Sequence, residues 1–345
     1  NDKFVGTGKY ILRSFSNQIQ VIDPNINYWG KKTNNEGITF VGYSNSSSLF
    51  GALKSKQIDV LLSNSIDDSQ RNTLRILSEN NKIKEGNSPA TEISFISLRT
   101  NLYPLNNRNV RLAIAKSLNR KLISEKVSYG LRKPTRSIVP PILKKSNYDL
   151  WPNYNYLETR NLLQKEGYCN GNIINIPLAY RSNVPTDKLI ALTWQEELKN
   201  LLSDCIVLEL NGVESTTIYK NLSLGIYTAV ILDWTGAYSD PEAYLKPLLS
   251  CSEIDNGECI KGESVYSGSF WGSNKVEELF RESDNINGDK RLVKLAEIEK
   301  IASESIPYIP IWVSSQIAWS QNKISKPDFN GAGIISLSDL KLINE

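Results

Sequence analysis

The amino-acid sequence predicts an α/β protein organised in two lobes, and three observations carry that prediction. Between residues 157 and 233, helical and strand patterns alternate with short connections, which is how parallel β-α-β units read. The chain has 345 residues, more than one hydrophobic core ordinarily supports. Its composition, 40% hydrophobic and 22% charged, is that of a globular protein, neither disordered nor fibrous.

The elements follow in order. Tyr10 to Ser14 and Ile19 to Val21 suggest a hairpin, and Ile38 to Tyr43 a further strand. Leu49 to Lys56 reads as a short helix, Asp59 to Leu62 as a buried strand, and the polar stretch from Ser63 to Ala90 as loop with a short helix. Ile93 to Leu98 alternates only loosely, as a largely buried strand does. Val110, Ala113, Ile114, Leu118, Leu122 and Ile123 recur at helical spacing, giving one amphipathic helix that ends before Gly130. Pro134 to Pro141 is a loop. Helices at Leu157–Lys165, Thr186–Leu202 and Thr216–Leu222 then alternate with strands at Ile173–Tyr180, Ile206–Leu210 and Tyr227–Asp233. Two more helices, Lys275–Arg281 and Lys290–Ser303, precede a strand from Tyr308 to Trp312.

Two absences narrow the chemistry. The sequence contains no histidine, which removes Ser-His-Asp and Cys-His catalysis, histidine-ligated zinc or haem, and any imidazole switch. It contains no methionine either, and it opens on Asn1-Asp2-Lys3, so a missing N-terminal portion is expected. A net charge of +3 over the whole chain gives no case for a nucleic-acid partner. The longest apolar run, near Tyr227 to Leu232, falls far short of the roughly 18 residues of a spanning helix.

Cys169, Cys205, Cys251 and Cys259 allow three disulfide pairings. Their spacing contains no C-x2-C knuckle for a four-thiolate zinc site. Cys251 and Cys259 bracket a short polar loop that a disulfide would close. Cys169 and Cys205 fall at the amino ends of two neighbouring strands, where a bridge would be structural. Free buried thiols are the alternative; disulfides would imply an oxidising compartment, the periplasm or the cell exterior.

In open α/β sheets, ligands bind at the carboxyl ends of the strands. Here those ends deliver Arg181, then Asn211-Gly212, then Asp233 through Pro241, which includes Trp234, Thr235, Gly236, Ala237, Tyr238 and Asp240. An arginine pairs with a carboxylate, an indole face covers apolar atoms, and bare backbone at Gly236 offers hydrogen bonds, as a small zwitterionic ligand would need. Each residue has a structural reading beside this one: Arg181 as a solvated surface arginine, Trp234 as core, Asp240 as the N-cap of a helix with Pro241 in its first position. For Asp240 the capping reading leads. Catalytic groupings are thin. Ser320 to Lys323 matches S-x-x-K by spelling only, and the neighbouring carboxylates Asp67-Asp68 and Glu196-Glu197 read as solvated charges.

Several segments together resemble the extracellular solute-binding proteins of peptide/nickel-type ABC importers, the dipeptide- and oligopeptide-binding family. Gly6 to Tyr10 is similar to a G-T-G-x-Y/F motif and Asn25 to Gly30 to N-x-x-Y-W-G. Leu53 to Val60 resembles an L-x-x-G-x-I-D element with Lys56 in place of glycine. Val110-Arg111-Leu112-Ala113 followed by Leu118-Asn119-Arg120 resembles V-R-x-A…D-R with Asn119 for Asp. Pro140-Pro141, Leu162-Leu163 with Gly167-Tyr168, Trp234 with Asp240-Pro241, and Ile306 to Ile311 continue the likeness in order.

This resemblance implies a two-lobe periplasmic-binding-protein-like fold matching roughly the C-terminal two-thirds of family members, with part of the first lobe missing. Residues 1–102 plus 313–345 would form that lobe and residues 103–312 the second, joined by two crossovers acting as a hinge. It implies a monomer without catalytic activity or cofactor. Such a protein would be periplasmic or extracytoplasmic, lipid-anchored through the missing N-terminus. It would close on a small peptide or other small organic solute and deliver it to an ABC permease. A ligand sensor on the same scaffold and, more remotely, a Ser- or carboxylate-dependent hydrolase are the alternatives. In dipeptide binders of the family, an arginine placed like Arg181 takes the ligand carboxylate. An aspartate three residues after the cleft tryptophan takes the amine, and here that position is Ala237. Asp233 or Asp240 would have to substitute, or the ligand lacks a free amine. The resemblance also supports the Cys251–Cys259 bridge, and the lack of histidine argues against nickel.

Overall fold

A run of β-branched and aromatic residues near the start of the chain forms a three-stranded antiparallel sheet, β1 (Tyr10–Phe15), β2 (Ile19–Pro24) and β3 (Ile38–Val41) in that order. The computed structural model describes residues 6–62, 66–144, 149–331 and 333–343. Chain contacts divide it into two units, Asn1–Pro89 with Ser315–Glu345, and Ala90–Ser314.

In the first unit, α1 (Ser46–Lys54) starts where the Asn45 side chain accepts from the Ser48 amide. It is followed by β4 (Val60–Leu62), α2 (Asp68–Glu79) and the first part of β5 (Lys84–Leu98). The stretch expected to be mostly loop is therefore largely ordered; its residues 63–65 lie outside those described. The cause is a capping box: the Asp67 carboxylate accepts from the Gln70 amide, and the Gln70 side chain accepts from the Asp67 N–H. Asp67 and Asp68 are thus not a solvated pair. One caps the helix, and the other is buried 3.5 Å from Arg71. Leu53, Leu61, Leu74, Ile83 and Trp319 fill this unit's own small core.

The second unit continues with α3 (Arg108–Lys116), α4 (Arg120–Ser128), β6 (Lys133–Pro134), α5 (Tyr156–Lys165), β7 (Ile174–Arg181), α6 (Pro185–Leu201) and β8 (Ile206–Val213). Next come α7 (Ser215–Asn221), β9 (Ala229–Thr235), α8 (Glu242–Leu249), β10 (Glu253–Asp255), β11 (Glu258–Lys261), α9 (Glu263–Tyr266), α10 (Asn274–Asp284) and α11 (Gly288–Ser305). The last strand, β12 (Tyr308–Ser320), begins here and ends in the first unit, where it pairs with β4.

Within the second unit the strand order is β12-β5-β9-β7-β8, with β6 beside β12. β7 is parallel to both β8 and β9, so the alternation read from the sequence is the parallel core of this unit. Ile174, Ile176 and Leu178 of β7 are buried at every second position, against Trp194 and Leu198 of α6. The single helix expected between Val110 and Gly130 is two helices. The apolar spacing runs through the break, but Ser117 and Asn119 divert the backbone. The Ser117 hydroxyl donates to the Ile114 carbonyl and accepts from the buried Trp194 indole, while the Asn119 side chain caps α4 by accepting from the Leu122 amide. Arg111, in the V-R-x-A segment, is buried and donates to the Leu105, Ser305 and Ile306 carbonyls. Two of these end α11 and would otherwise be unpaired.

Candidate functional site

The chain leaves β7 for β8 on one side and returns to β9 on the other, so β7 stands at a topological switch. The carboxyl ends of β7 and β9, Arg181 and Asp233 to Thr235, lie at this switch, the place where ligands of such sheets sit.

Arg181 is not a solvated surface residue: it is 5% exposed. Its Nε and one terminal nitrogen donate to both oxygens of Asp187, at 2.7 and 3.0 Å. The same terminal nitrogen reaches Asp233 Oδ2 at 2.6 Å, and the other donates to the Tyr219 hydroxyl at 3.1 Å. Burial opposes the guanidinium charge, but the hydrogen bonds to Asp187 and Asp233 outweigh it and hold Arg181 protonated beyond its ordinary range. Asp187 sits in the first turn of α6 and is 3% exposed, whereas the Asp233 side chain is 35% exposed. One positive charge is set against two negative ones, and Asp233 is the more exposed of the two carboxylates.

Trp234 follows Asp233 along β9 and is 36% exposed, so it is not core. Its indole N–H donates to the Ala243 carbonyl at 2.8 Å, which fixes the ring plane. Gly236 is needed where it stands: a Cβ there would lie 2.6 Å from the Tyr244 ring, which is buried and held by its hydroxyl to the Thr91 carbonyl. Thr235, Ala237 and Tyr238 are exposed around it. Asp240 is not the N-cap expected of it, a position that Pro241 holds, but its carboxylate accepts from the Glu242 amide at 2.8 Å and is paired with Arg291 at 2.6 Å. Helix α8 begins at Glu242, one residue beyond Pro241. Asn211 is exposed inside β8, in register with Ala179 and two residues short of the strand end, and takes no part in the Arg181 hydrogen bonds. Sequence reasoning did not find Asp187 or Tyr219. An acidic residue in the first turn of the helix that follows β7 is the signal by which the former could have been found.

Both cystines stand apart from this cluster. Cys169–Cys205 joins the segments leading into β7 and β8, and β7 then runs about 23 Å to Arg181 at strand rise. Cys251–Cys259 closes the β10-β11 hairpin, whose turn at Asn256-Gly257 has positive φ at both residues. Ser320 of the S-x-x-K spelling is fully buried and donates to the Ser325 carbonyl.

With this geometry in hand, the relatives can be placed. Residues 1–256 match the family model of bacterial extracellular solute-binding proteins, family 5, middle region. The chain belongs to that family. The family is described by solute binding rather than by a reaction. The nickel-binding periplasmic protein of Escherichia coli is 27% identical over 263 residues, covering 73% of this chain and 49% of that protein. Heme-binding protein A of Haemophilus influenzae is 23% identical, covering 89% of this chain and 54% of that protein. The chain thus spans about half the length of these relatives. Among solved structures, Brucella suis NikA in complex with Fe(III)-EDTA superposes with a TM-score of 0.83 at 19% identity, over 98% of this chain and 68% of that one. A Pseudoalteromonas dipeptide binding protein in complex with Met-Leu gives 0.79 at 20% identity, over 98% and 64%. These likenesses show the two-lobe α/β fold of periplasmic binding proteins. The family's extracellular setting agrees with two formed cystines.

Proposed function

We propose that this solute-binding protein captures a peptide-like or other small organic solute bearing a protonated amine, and delivers it to a membrane ABC permease. It acts as a monomer and closes two lobes about hinges in the two long strands β5 and β12; the compact units divide within these same strands. The observation that carries the reading is the half-exposed Asp233 carboxylate at the switch point, followed by a half-exposed indole. Successive strand residues point to opposite faces. A ligand touching both therefore lies across the carboxyl end of β9, with Thr235, Gly236, Ala237 and Tyr238 along its edge.

In this reading Arg181 does not take a ligand carboxylate. Two protein carboxylates already engage it, and its part is to hold Asp233 in place. Asp233 supplies the counter-charge that Ala237 lacks. Asp240, paired with Arg291, keeps the start of α8 and the loop before it in position. With no histidine in the chain, imidazole ligation of nickel or haem is not available.

Native mass spectrometry of the full-length protein as purified tests the reading first, by identifying the retained solute. Calorimetry then compares a dipeptide with its N-acetyl derivative, and wild type with Asp233→Asn. Loss of the amine or of the carboxylate should each weaken binding about tenfold or more, as loss of a charge-assisted hydrogen bond does. Equal affinity for the acetylated and free-amine forms would remove Asp233 from the site. Steady hydrolysis of the dipeptide would overturn the binding-protein reading itself.

A further inference from the structure

Tyr219 lies on α7, and contacts around the end of β7 set its position. Ile218 and the following Leu222 anchor this helix in the core of the second unit. Its first residue is tied to the turn after β7, because the Ser215 amide and hydroxyl both donate to the Asn183 side chain, at 3.0 and 2.6 Å. In the same turn the Ser182 amide donates to the Val213 carbonyl at the end of β8. Tyr219 is thereby held against Arg181, one of whose terminal nitrogens donates to its hydroxyl at 3.1 Å, while the residue itself stays half-exposed.

The two terminal nitrogens of this guanidinium divide their partners. One meets the Tyr219 hydroxyl and the other both carboxylates, so the phenol oxygen and Asp233 are neighbours across a single guanidinium. A hydroxyl carries one proton and accepts on its lone pairs, whereas a guanidinium has donors only. Arg181 therefore occupies an accepting side of the Tyr219 oxygen, and the hydroxyl proton points elsewhere. Among the described residues that hydroxyl donates to none. Accepting from a cation polarises the O–H bond and strengthens it as a donor. The result is an exposed donor next to a part-exposed carboxylate, both fixed by the same buried arginine.

We propose that Tyr219 is a specificity-determining residue of the solute site, donating to a neutral hydrogen-bond acceptor that the solute carries next to its amine. The proposal rests on the reading of Asp233 as the amine's partner and adds the second half of the recognised group. An amine one carbon away from an amide carbonyl satisfies Asp233 and Tyr219 together. A bare amine or a polyamine covers the phenol without accepting from it, which leaves a desolvated donor unpaired. A carboxylate in place of the neutral acceptor meets Asp187 and Asp233, two negative charges against the one positive charge of Arg181. α-Amino amides are thus preferred over both simple amines and free amino acids.

The test is calorimetric titration of the full-length protein with two probes, alanyl-alanine amide and its analogue in which sulfur replaces the first carbonyl oxygen. Sulfur keeps the charge and nearly the shape but is the poorer acceptor. Tyr219→Phe should weaken the oxygen probe about fivefold or more and the sulfur probe less than about twofold, as loss of one neutral hydrogen bond does. The variant keeps the ring, and Arg181 keeps both carboxylates, so the fold is preserved, which circular dichroism checks. Equal weakening of both probes would mean that the tyrosine acts only through Arg181, and would overturn the proposal. Unchanged affinity for the oxygen probe, or no saturable heat from the wild type, would overturn it too. Asp233→Asn, titrated in parallel, separates this failure from that of the underlying reading. If it weakens the oxygen probe while Tyr219→Phe does not, only the role of Tyr219 falls; if it leaves that affinity unchanged, the amine site falls and this proposal with it.

Discussion

The Arg181 cluster makes an ordered set of stability changes, because its two carboxylates differ in burial while sharing one guanidinium. Arg181→Ala strands Asp187, which is 3% exposed and would have no counter-charge. Breaking a buried pair in this way costs about 3–5 kcal/mol. Asp187→Asn keeps the shape and one acceptor but loses the charge-assisted pair with Arg181, and should cost about 2–3 kcal/mol. Asp233→Asn leaves Arg181 its bidentate partner and removes a carboxylate that is 35% exposed and solvent-screened, so it should cost less than about 1 kcal/mol. Urea unfolding monitored by tryptophan fluorescence gives these differences by linear extrapolation. The decisive result is the ratio. If Asp233→Asn destabilises as much as Asp187→Asn, or Arg181→Ala stays within about 1 kcal/mol of wild type, the division into a buried structural pair and an outer carboxylate is wrong.

Two other outcomes follow from the structure. Removing the Cys169–Cys205 bridge, with a sequence separation of 36, should cost about 3.8 kcal/mol on the loop-entropy relation, against about 2.6 kcal/mol for Cys251–Cys259 with a separation of 8; paired Cys→Ser variants in the same unfolding assay check the order, and a larger loss from the short loop would contradict it. Gly236→Ala should cost about 1–3 kcal/mol, since its Cβ meets a Tyr244 ring that is locked by the Thr91 carbonyl, and thermal unfolding of the variant measures it.

The parallel core around β7 was legible because the hydrophobic period switches cleanly between strand and helix from Ile173 to Asp233. The break between α3 and α4 was not, because Leu118 and Leu122 keep the helical phase across it. What breaks the helix is competition from Ser117 and Asn119, one of them held by the distant Trp194 indole. Asp68 failed for a related reason: an acidic pair after a polar stretch looks solvated, and only tertiary packing puts it inside. At the site, the strand-end rule located Arg181 and the Asp233–Asp240 segment. It did not foresee that Arg181 would turn to Asp187 six residues on, across a tight strand-to-helix turn, since the sequence shows the spacing but not the direction of the side chain. Asn211 was displaced for a simpler reason: β8 runs to Val213, three residues longer than its apolar pattern.

Charge sign is what the Arg181 cluster contributes to the proposed specificity. An unpaired arginine at a strand end would attract a ligand carboxylate, as the resemblance to dipeptide binders suggests for this position. Here Asp187 neutralises the guanidinium and Asp233 reverses the local balance. A ligand carboxylate about 4 Å from Asp233 would meet a repulsion of about 4 kcal/mol at an effective dielectric of about 20, while an ammonium at the same distance would gain as much before desolvation. The acid absent at position 237 is thus offset by one placed before Trp234 rather than after it. A ligand amine would then approach from the opposite face of β9 to the indole. A solute that satisfies both must be long enough to cross the strand end, which favours an extended amine over a compact free amino acid.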